Sequence, residues 1–383
     1  MNRISGLRVL LCVTTFSCLT LAAQEPQLVA KDPQGHGLLC KVGPKRVLIV
    51  DGTPEQMGGA HGRLLSDLVP QVMPRTMALV GAGLAVQKGE WLYDRIDEIY
   101  RRSSPHTPER FLRECRAMAE GAGITERDAL CGNFFPELFH CSGVAVRNAA
   151  SADGRVVHAR VLDYMRDINL QKYTVLQVFI PEGGIPWMSV GYAGFLGTVT
   201  AMNARGLAIG EMGGKGEGNW DGLPMTFLMR EIAEKAESVD QAVAIMRKMP
   251  RTCEYYYVIS DAKRNMAGVC ATPEKVEVLQ PGQQHPLLPA VPQDTVMMSA
   301  GGRAQALSER LKAHFGKITP EVMIEIIKRP VAMRSNLHNA VFMPETLEMW
   351  FADAGKKTPA CDEPYTRVNL KALLDYYAAQ NKP

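Results

Sequence analysis

The sequence is poor in the features that mark nucleic-acid-binding and metal-binding proteins. Its 43 lysine and arginine residues are nearly balanced by 40 aspartate and glutamate residues, so the formal net charge is only +3. Such a small charge, without a basic cluster interleaved with aromatic residues, argues against a nucleic-acid partner. The eight histidines show no H-x-x-x-H spacing and no C-x-x-C pair occurs. We therefore expect no metal site and no bound cofactor.

Long apolar runs are also scarce, and the one near the N-terminus has the composition of a signal peptide. Arg3 and Arg8 lie beside the apolar run VLLCVTTFSCLTL, and Ala22-Ala23 offers a small-residue cleavage site. This run is shorter than the ~20 apolar residues that a membrane span needs. Residues 1–23 are therefore predicted to be a signal peptide, the mature protein to be secreted or periplasmic, and no membrane span is expected.

The length of 383 residues, with 46% hydrophobic and 22% charged residues, is typical of a globular protein with a large core. No internal repeat or low-complexity tract is evident. Residues 24–44 are rich in proline and glycine, and we expect them to be poorly ordered. A helix is predicted to open at Thr53-Pro54, and its GGAHG run indicates close packing against a neighbouring element.

Without the predicted signal peptide, the cysteine count is odd. Nine cysteines occur in the whole chain, and the seven that follow residue 23 are Cys40, Cys115, Cys131, Cys141, Cys253, Cys270 and Cys361. In an exported protein, six could pair and one would stay free. Cys253 and Cys270 flank a predicted hairpin and are the favoured disulfide. The alternative is that these cysteines are reduced and buried.

The stretch from Asn133 to Asp163 is the most informative part of the chain, and it contains Cys141. The pattern before Cys141 is helical. From Cys141 onward it has a period of two, so that the odd-numbered residues 141–145 share one strand face and the even-numbered residues 142–146 share the other. A turn at Ala152-Asp153-Gly154 leads into a second β-rich run. The sequence therefore predicts a β-hairpin that begins at Cys141.

A cysteine at the start of a strand, after most of the helix and before most of the sheet, is placed where a self-processed nucleophile would be. Cleavage between His140 and Cys141 would give Cys141 a free α-amine, whose reference pKa of about 8 suits it to act as the base for its own thiol. Arg160 could then lower the pKa of the thiol, and Asp163 could hold the α-ammonium group.

Four segments occurring in order also carry a family resemblance: EGAGITERDAL, GNFFPELFHCSGVAV, DGRVVHARVLD and AMNARGLAIGEM. Together they resemble the isopenicillin-N acyltransferase (acyl-coenzyme A:6-aminopenicillanic acid acyltransferase) family of N-terminal-nucleophile hydrolases. The chain is similar in the same way to choloylglycine hydrolases, penicillin V acylases and acid ceramidases. The resemblance extends from about Asp51 to the C-terminal region.

The resemblance implies an α+β fold, a four-layer αββα sandwich with two antiparallel sheets, made as an inactive precursor that cleaves itself before the nucleophile. It divides the chain into a helical N-terminal segment, residues 24–140, and an αββα catalytic segment, residues 141–383. Matched to the family motifs, Cys141 is the nucleophile. Arg160 and Asp163 are the pair that contacts it, and Asn203 lines the oxyanion hole.

Two parts of the family pattern are not matched clearly. Where many relatives carry a Thr-Asn pair whose asparagine helps to hold the oxyanion, this sequence has Ser299 and Ala300. The late catalytic arginine of the family corresponds to one of three residues in this chain, namely Arg303, Arg310 or Arg334.

Simpler interpretations of the candidate residues stay open. Cys141 could be a buried apolar residue at a strand edge, and Arg160 and Asp163 could form a cross-strand ion pair. Asn203 could be the turn residue that precedes Arg205.

The function expected is an exported, autoproteolytic cysteine amidohydrolase or acyltransferase. It would act on a small N-acyl amide or a related acyl compound through an acyl-thioester at Cys141. The alternative is a non-catalytic binding protein on the same fold, and a homo-oligomer remains an option.

Overall fold

The computed structural model describes residues 25–75, 78, 82, 89, 91–134, 141–164, 166–214 and 218–381. The predicted signal peptide, residues 1–23, lies outside the described residues, and so does His140 on the N-terminal side of the predicted cleavage point. Among the helices of the described residues, none is long and apolar enough to cross a membrane.

The described elements fall into three successive groups along the chain. Those before Cys141 are β1 (Gln27–Lys31), β2 (Gly37–Val42), β3 (Lys45–Gly52), α1 (Pro54–Leu64), α2 (Leu92–Ser103), α3 (Glu109–Ala122) and α4 (Glu126–Asn133). The middle group is β4 (Ser142–Asn148), β5 (Gly154–Asp163), β6 (Thr174–Pro181), β7 (Trp187–Tyr192), β8 (Thr200–Asn203), β9 (Ala208–Gly213), α5 (Met225–Lys235) and α6 (Val239–Lys248). The last group is β10 (Tyr255–Ser260), β11 (Met266–Ala271), β12 (Val276–Leu279), β13 (Thr295–Met298), α7 (Gly301–Ala313), α8 (Pro320–Ile326), β14 (Asn336–Met343), β15 (Glu348–Asp353), β16 (Thr366–Asn369) and α9 (Leu370–Gln380).

The strands form two sheets that face each other. A ten-stranded sheet has the order β1-β2-β3-β6-β7-β8-β9-β10-β11-β12, and a six-stranded sheet has the order β13-β4-β5-β14-β15-β16. Their inner faces meet where β4 and β5 contact β9 and β10. Helices α1, α5 and α6 pack on the ten-stranded sheet, and α8 packs on the six-stranded sheet. The predicted α+β class and αββα sandwich are therefore confirmed.

One pairing departs from the expected antiparallel sheets. Strands β3 and β6 are parallel, with Val47 opposite Leu176 and Asp51 opposite Ile180, while their other neighbours are antiparallel. Parallel neighbours need a long crossover connection, and here the chain passes through helices and the β4–β5 hairpin between the two strands. The prediction of two purely antiparallel sheets is thus wrong at this position.

The segment before Cys141 also contains more sheet than expected. Residues 24–44 were predicted to be poorly ordered, but they supply β1 and β2 at the edge of the ten-stranded sheet. The residues of β1 are exposed, so no buried alternation marks this strand in the sequence. Strand β1 pairs with β2, and β2 pairs with the buried strand β3, so both are fixed to the sheet.

Helix α1 begins as its sequence predicts and uses its glycines for close contact. Thr53 accepts a hydrogen bond from the backbone N–H of Gln56, while the Gln56 side chain accepts one from the backbone N–H of Thr53. A Cβ atom added at Gly58 would lie 2.3 Å from the carbonyl oxygen of Glu114 on α3. The close packing predicted for the GGAHG run is confirmed.

The disulfide prediction is wrong. Among the described residues, no disulfide joins Cys253 to Cys270 or any other two cysteines. The β10–β11 hairpin exists, but its register places Cys270 opposite Tyr256, three residues beyond Cys253. The Cys253 thiol instead donates to the carbonyl oxygen of Asn219 at 3.4 Å.

Candidate active site

Cys141 directly precedes β4 and belongs to the strand face that meets the ten-stranded sheet. The alternation found in the sequence explains this placement: Cys141 and Ala145 join the core between the sheets, whereas Val144 and Val146 join the core beneath α7 and α8. Only 5% of Cys141 is exposed. The thiol therefore lies in an enclosed position between the two sheets.

Arg160 of β5 is the cationic group that contacts this thiol. Residue Gly143 of β4 lies opposite Arg160 in the hairpin, so Arg160 and Cys141 point to the same inner face. The Arg160 Nη2 atom lies 3.5 Å from the Cys141 sulfur. Its Nε atom donates to the carbonyl oxygen of Glu211 at 3.1 Å, and Nη2 also lies 3.4 Å from Glu211 Oε2. Arg160 and Glu211 thus form a fully buried ion pair beside the thiol.

A third buried group, His338 of β14, contacts the same guanidinium. Its Nε2 atom lies 3.2 Å from Arg160 Nη1 and 2.8 Å from the hydroxyl of Thr200. Its Nδ1 atom lies 2.9 Å from the hydroxyl of Tyr192. Burial and the nearby Arg160 charge hold the pKa of His338 well below its usual value, so the ring is neutral.

Asp163 lies at the end of β5, and its carboxylate points away from the thiol toward α7. There it forms an ion pair with Arg303 and accepts a hydrogen bond from the backbone N–H of Met333 at 2.8 Å. The backbone of Asp163, rather than its side chain, hydrogen-bonds the Cys141 sulfur. The structure thus brings Cys141, Arg160 and Asp163 together. The Asp163 carboxylate, however, lies on the strand face opposite to the one that carries the thiol.

Arg303 is the one of the three candidate late arginines that joins this cluster. Besides Asp163, its Nη2 atom contacts the hydroxyl of Ser142 at 2.9 Å. That hydroxyl also lies 2.7 Å from the hydroxyl of Ser299, because β13 runs beside β4. Arg310 instead donates to backbone carbonyls near the end of α8, and Arg334 is exposed.

The electrostatics of the uncleaved chain keep the thiol protonated. Burial raises the pKa of Cys141 to about 12, and Glu211 and Asp163 push it in the same direction. The Arg160 charge opposes this shift. Burial likewise raises the pKa of Asp163 to about 6, although Arg303 and the Met333 N–H group favour its charged form. A reactive thiolate therefore requires a further positive charge or a base beside the sulfur.

Asn203 is not brought into this cluster. Its side-chain NH2 group donates to the carbonyl oxygens of Ala233 and Ala236 at 2.9 and 2.7 Å, and its Oδ1 atom accepts from the N–H groups of Arg205 and Leu207, both at 3.0 Å. These bonds tie the β8–β9 turn to the end of α5. The arrangement corresponds to the simpler interpretation of Asn203 as a turn residue.

Sequence reasoning missed two polar residues of the site, Glu211 and His338. Each is the single ionisable residue of a strand whose other residues are uncharged, and both are fully buried. Isolated ionisable residues in otherwise uncharged strands are the signal that could have identified them, since such groups are rarely buried without a partner. Among the described residues, no group of three or more histidine, cysteine, aspartate or glutamate side chains is arranged to hold a metal ion.

Comparisons with known proteins give one family match and several distant relatives. The model of the acyl-coenzyme A:6-aminopenicillanic acid acyl-transferase family matches residues 151–284, a range that includes Arg160, Asp163 and Glu211 and begins after Cys141. Protein dcd1A of Dictyostelium discoideum is 28% identical over 274 residues, which are 60% of this chain and 60% of that protein. The N-acylethanolamine-hydrolyzing acid amidase of Mus musculus is 24% identical over 181 residues, which are 44% of this chain and 49% of that protein.

The matched segments thus span 60% or less of the length of these two relatives. Among solved structures, the Caenorhabditis elegans ortholog of N-acylethanolamine-hydrolyzing acid amidase is similar with a TM-score of 0.44 and 16% identity, covering 54% of this chain and 93% of that one. Over residues 151–284 the chain is similar to the acyl-coenzyme A:6-aminopenicillanic acid acyl-transferase family, and the resemblance predicted from its sequence is confirmed.

Proposed function

We propose that the protein is an exported, self-cleaving cysteine hydrolase that acts on N-acyl amides through an acyl-thioester at Cys141. The observation that carries the proposal is the 3.5 Å contact between Arg160 Nη2 and the Cys141 sulfur at the start of β4, in an enclosed position between two sheets. The ion pair with Glu211 accounts for the burial of Arg160, and the additional contact of its Nη2 atom with the sulfur would stabilise a thiolate at Cys141.

Self-cleavage would proceed by attack of the Cys141 sulfur on the carbonyl carbon of His140. The S–C bond forms, the peptide C–N bond breaks, and the thiol proton passes to the departing α-nitrogen. Water then hydrolyses the thioester, which leaves a carboxylate on His140 and both a free thiol and a free amine on Cys141. Cleavage thereby supplies the base or positive charge that the uncleaved site lacks.

In each turnover, the α-amine would accept the thiol proton while Arg160 stabilises the thiolate. The thiolate attacks the acyl carbonyl of the substrate, backbone N–H groups hold the oxyanion, and the α-ammonium group protonates the leaving amine. Water, deprotonated by the same amine, then releases the acid. Asp163, which is itself held by Arg303, would orient the α-ammonium group through its carboxylate.

The substrate class follows from the relatives and from the expected location. Mouse acid amidase is named for hydrolysis of N-acylethanolamines, and the family model is named for acyl transfer from acyl-coenzyme A. An exported protein has little access to acyl-coenzyme A, so we propose that water rather than an amine is the usual acceptor. Small N-acyl amides, such as acylated amino acids or β-lactam side chains, are the substrates to test first.

Cleavage is tested by intact mass measurement of purified wild-type, Cys141→Ala and Cys131→Ala proteins. We expect two polypeptides, the second beginning at Cys141, for the wild type and for Cys131→Ala, which lacks another buried thiol. Cys141→Ala should remain one polypeptide. An intact wild-type chain that turns over substrate would contradict the proposed mechanism, and an intact chain without turnover would favour a non-catalytic binding protein.

Turnover is tested with two substrate panels, one of N-acyl amides and one of acyl thioesters supplied together with amine acceptors. Hydrolysis of the amides that is absent from Cys141→Ala supports the proposal. Reaction of the thioester panel alone, with formation of new amides, would instead identify an acyltransferase.

A further inference from the structure

His338 is a buried histidine that connects the two sheets at the candidate site. It lies on β14 of the six-stranded sheet, next to β5, and its register partners are Leu162 and Asp353. Its ring contacts Arg160 from its own sheet and Tyr192 and Thr200 from the ten-stranded sheet. The His338 side chain is fully buried.

The hydrogen-bond partners of His338 fix its tautomer. A guanidinium group carries only donors, so the Nε2 atom of His338 must accept from Arg160 Nη1 and cannot carry a proton. The hydroxyl of Thr200 is then also a donor to Nε2. The single ring proton lies on Nδ1 and is donated to the oxygen of Tyr192. This assignment requires a neutral ring, in agreement with the lowered pKa of His338.

The same contacts leave the guanidinium of Arg160 one orientation. Its Nε atom is held by the Glu211 carbonyl oxygen and its Nη1 atom by His338, so the planar group cannot rotate without losing a buried hydrogen bond. In this orientation the remaining nitrogen, Nη2, faces both the Cys141 sulfur and Glu211 Oε2.

We propose that neutral His338 is a positioning residue that aims the Arg160 guanidinium at the Cys141 sulfur and thereby favours the thiolate. The proposal rests on the proposed role of Cys141 as nucleophile. His338 itself contacts neither the sulfur nor the expected position of a substrate, and it would act on the thiol only through Arg160.

The charges around the sulfur explain why the orientation matters. Glu211 and Asp163 both disfavour the thiolate, and Arg160 is the cation that opposes them in the uncleaved chain. Without an acceptor at Nη1, the guanidinium keeps its Nε bond to the Glu211 carbonyl oxygen but loses the second bond that fixes its plane, so it can tilt toward the Glu211 carboxylate and away from the sulfur. Loss of the His338 acceptor should therefore raise the pKa of the Cys141 thiol.

The chain offers a matched control in His158. This histidine is also fully buried between the sheets, and burial lowers its pKa to about 3. Its Nδ1 atom contacts the hydroxyl of Ser260 at 2.8 Å, and its ring packs against Phe342. Substitution of His158 therefore tests the general effect of replacing a buried histidine in the same layer of the fold.

The test is the rate of alkylation of Cys141 by iodoacetamide across a range of pH, followed by the mass of the peptide that contains this residue. Only the thiolate reacts, so the rate below the thiol pKa falls about tenfold for each unit by which that pKa rises. The full-length variants are His338→Leu, His338→Asn, His338→Gln, His158→Leu and His158→Gln. Glutamine places an acceptor near the position of Nε2, whereas asparagine places one near Nδ1.

We expect His338→Leu and His338→Asn to react about tenfold more slowly than the wild type, because a nearby cation typically lowers a pKa by about one unit or more. His338→Gln and both His158 variants should react at nearly the wild-type rate. The proposal is overturned if His338→Leu and His338→Asn react as fast as the two His158 variants. It is equally overturned if the alkylation rate of His338→Gln is as low as that of His338→Asn. This comparison decides the question even if His338→Leu fails to fold.

The result is independent of the outcome for the proposed function. Alkylation reports the link between His338, Arg160 and Cys141 whether or not the protein turns over a substrate. A protein that cleaves itself and hydrolyses amides, but whose alkylation rates do not respond to His338, would retain the proposed function and lose only this inference.

Discussion

Asp163 is the residue whose protonation we expect to limit activity at low pH. Burial is the main reason that its pKa is raised to about 6. Because the pKa of Asp163 is higher in the folded than in the unfolded state, the protonated side chain stabilises the fold at low pH. This stabilisation is lost as the pH rises through about 6. Activity should change with pH in the opposite direction and rise as Asp163 ionises, because only the carboxylate can pair with Arg303 and orient the proposed α-ammonium group. The new α-ammonium charge should move the pKa of Asp163 somewhat lower.

We therefore predict that kcat/KM of the processed enzyme falls as the pH drops through about 6 or slightly below. Asp163→Asn should lose most activity at every pH, and its residual activity should lack this acidic limb. The measurement is a pH–rate profile with an N-acyl amide. Asp261→Asn, which changes a buried aspartate in a turn away from the site, serves as control and should keep the wild-type profile. An acidic limb that persists in Asp163→Asn would assign the limb to another group.

At this scale the sequence predicted the groups that occur in recognisable motifs. Cys141 was predicted from its place at the start of a strand and Arg160 from its place near the end of the next, both supported by the family resemblance, and the structure brings them together. Three late arginines could not be distinguished, because the choice depends on which of them α7 turns toward Asp163. The sequence could mark His338 only as an isolated ionisable residue in a strand, and its contacts could not be predicted, since they come from strands that are far apart in the sequence.

Among the elements, strand β9 is shaped to admit the side chain of Arg160. A Cβ atom added at Gly210 would lie 2.5 Å from Cγ and 2.9 Å from Cβ of Arg160. These atoms are close to the backbone of β5, so they cannot move aside as the end of a flexible side chain could. The absence of a side chain at Gly210 is thus a condition for the contact between Arg160 and the thiol.

We predict that Gly210→Ala will displace Arg160, slow self-cleavage at least tenfold and lower the free energy of unfolding by ~1–3 kcal/mol, the usual cost of overpacking a core. Cleavage is followed by denaturing electrophoresis over time, and stability by urea unfolding of the uncleavable Cys141→Ala background. Gly302→Ala is the matched control, because a Cβ atom there meets nothing within 4 Å. Equal cleavage rates for the two alanine variants would contradict the steric argument.

The elements themselves were predictable where local pattern decides their structure. The period of two after Cys141 predicted the β4–β5 hairpin and the division of its residues between two faces, because alternation reports which side chains lie on the same side of a strand. Strand β1 and the parallel pairing of β3 with β6 were not predictable, because the first is exposed and the second depends on residues more than a hundred positions apart.

Over the whole molecule, a buried charge cluster joins the segment before Cys141 to the segment after it. Arg230 of α5 is fully buried and bonds Glu114 of α3 at 2.6 Å and Glu234 at 2.7 Å. Its guanidinium also donates to the carbonyl oxygen of Leu196 at 2.8 Å. After cleavage, the Glu114–Arg230 pair would connect two separate polypeptides.

We predict that Arg230→Met lowers the free energy of unfolding by ~3–5 kcal/mol, because removing one partner leaves the buried Glu114 without its counter-charge. Arg367→Met is the control: its ion pair with Glu348 is partly exposed, and its loss should cost only ~0–1 kcal/mol. Urea unfolding of the Cys141→Ala background measures both, and gel filtration of the processed proteins should show the two polypeptides separating more readily in Arg230→Met. Similar losses for both arginines would contradict the proposed importance of the buried cluster.

The four-layer architecture was expected from the family resemblance, since composition and local pattern indicate only a mixed α+β protein with a large core. Which strands share a sheet depends on contacts between distant segments. The parallel pair is the clearest example, because it combines one strand that precedes Cys141 with one that follows it.

The β3–β6 pairing bears on how the protein would assemble before the proposed cleavage. If the chain is cleaved before Cys141 as we propose, hydrogen bonds and packing would have to hold strands β1 to β3 against β6 without a covalent link. A fragment synthesised from Cys141 onward would present the bare edge of β6 to the solvent, and bare sheet edges recruit other chains. We therefore expect the uncleaved polypeptide to keep β3 available to β6 during folding, and we expect protein cut at the proposed point and then denatured to aggregate rather than regain its structure.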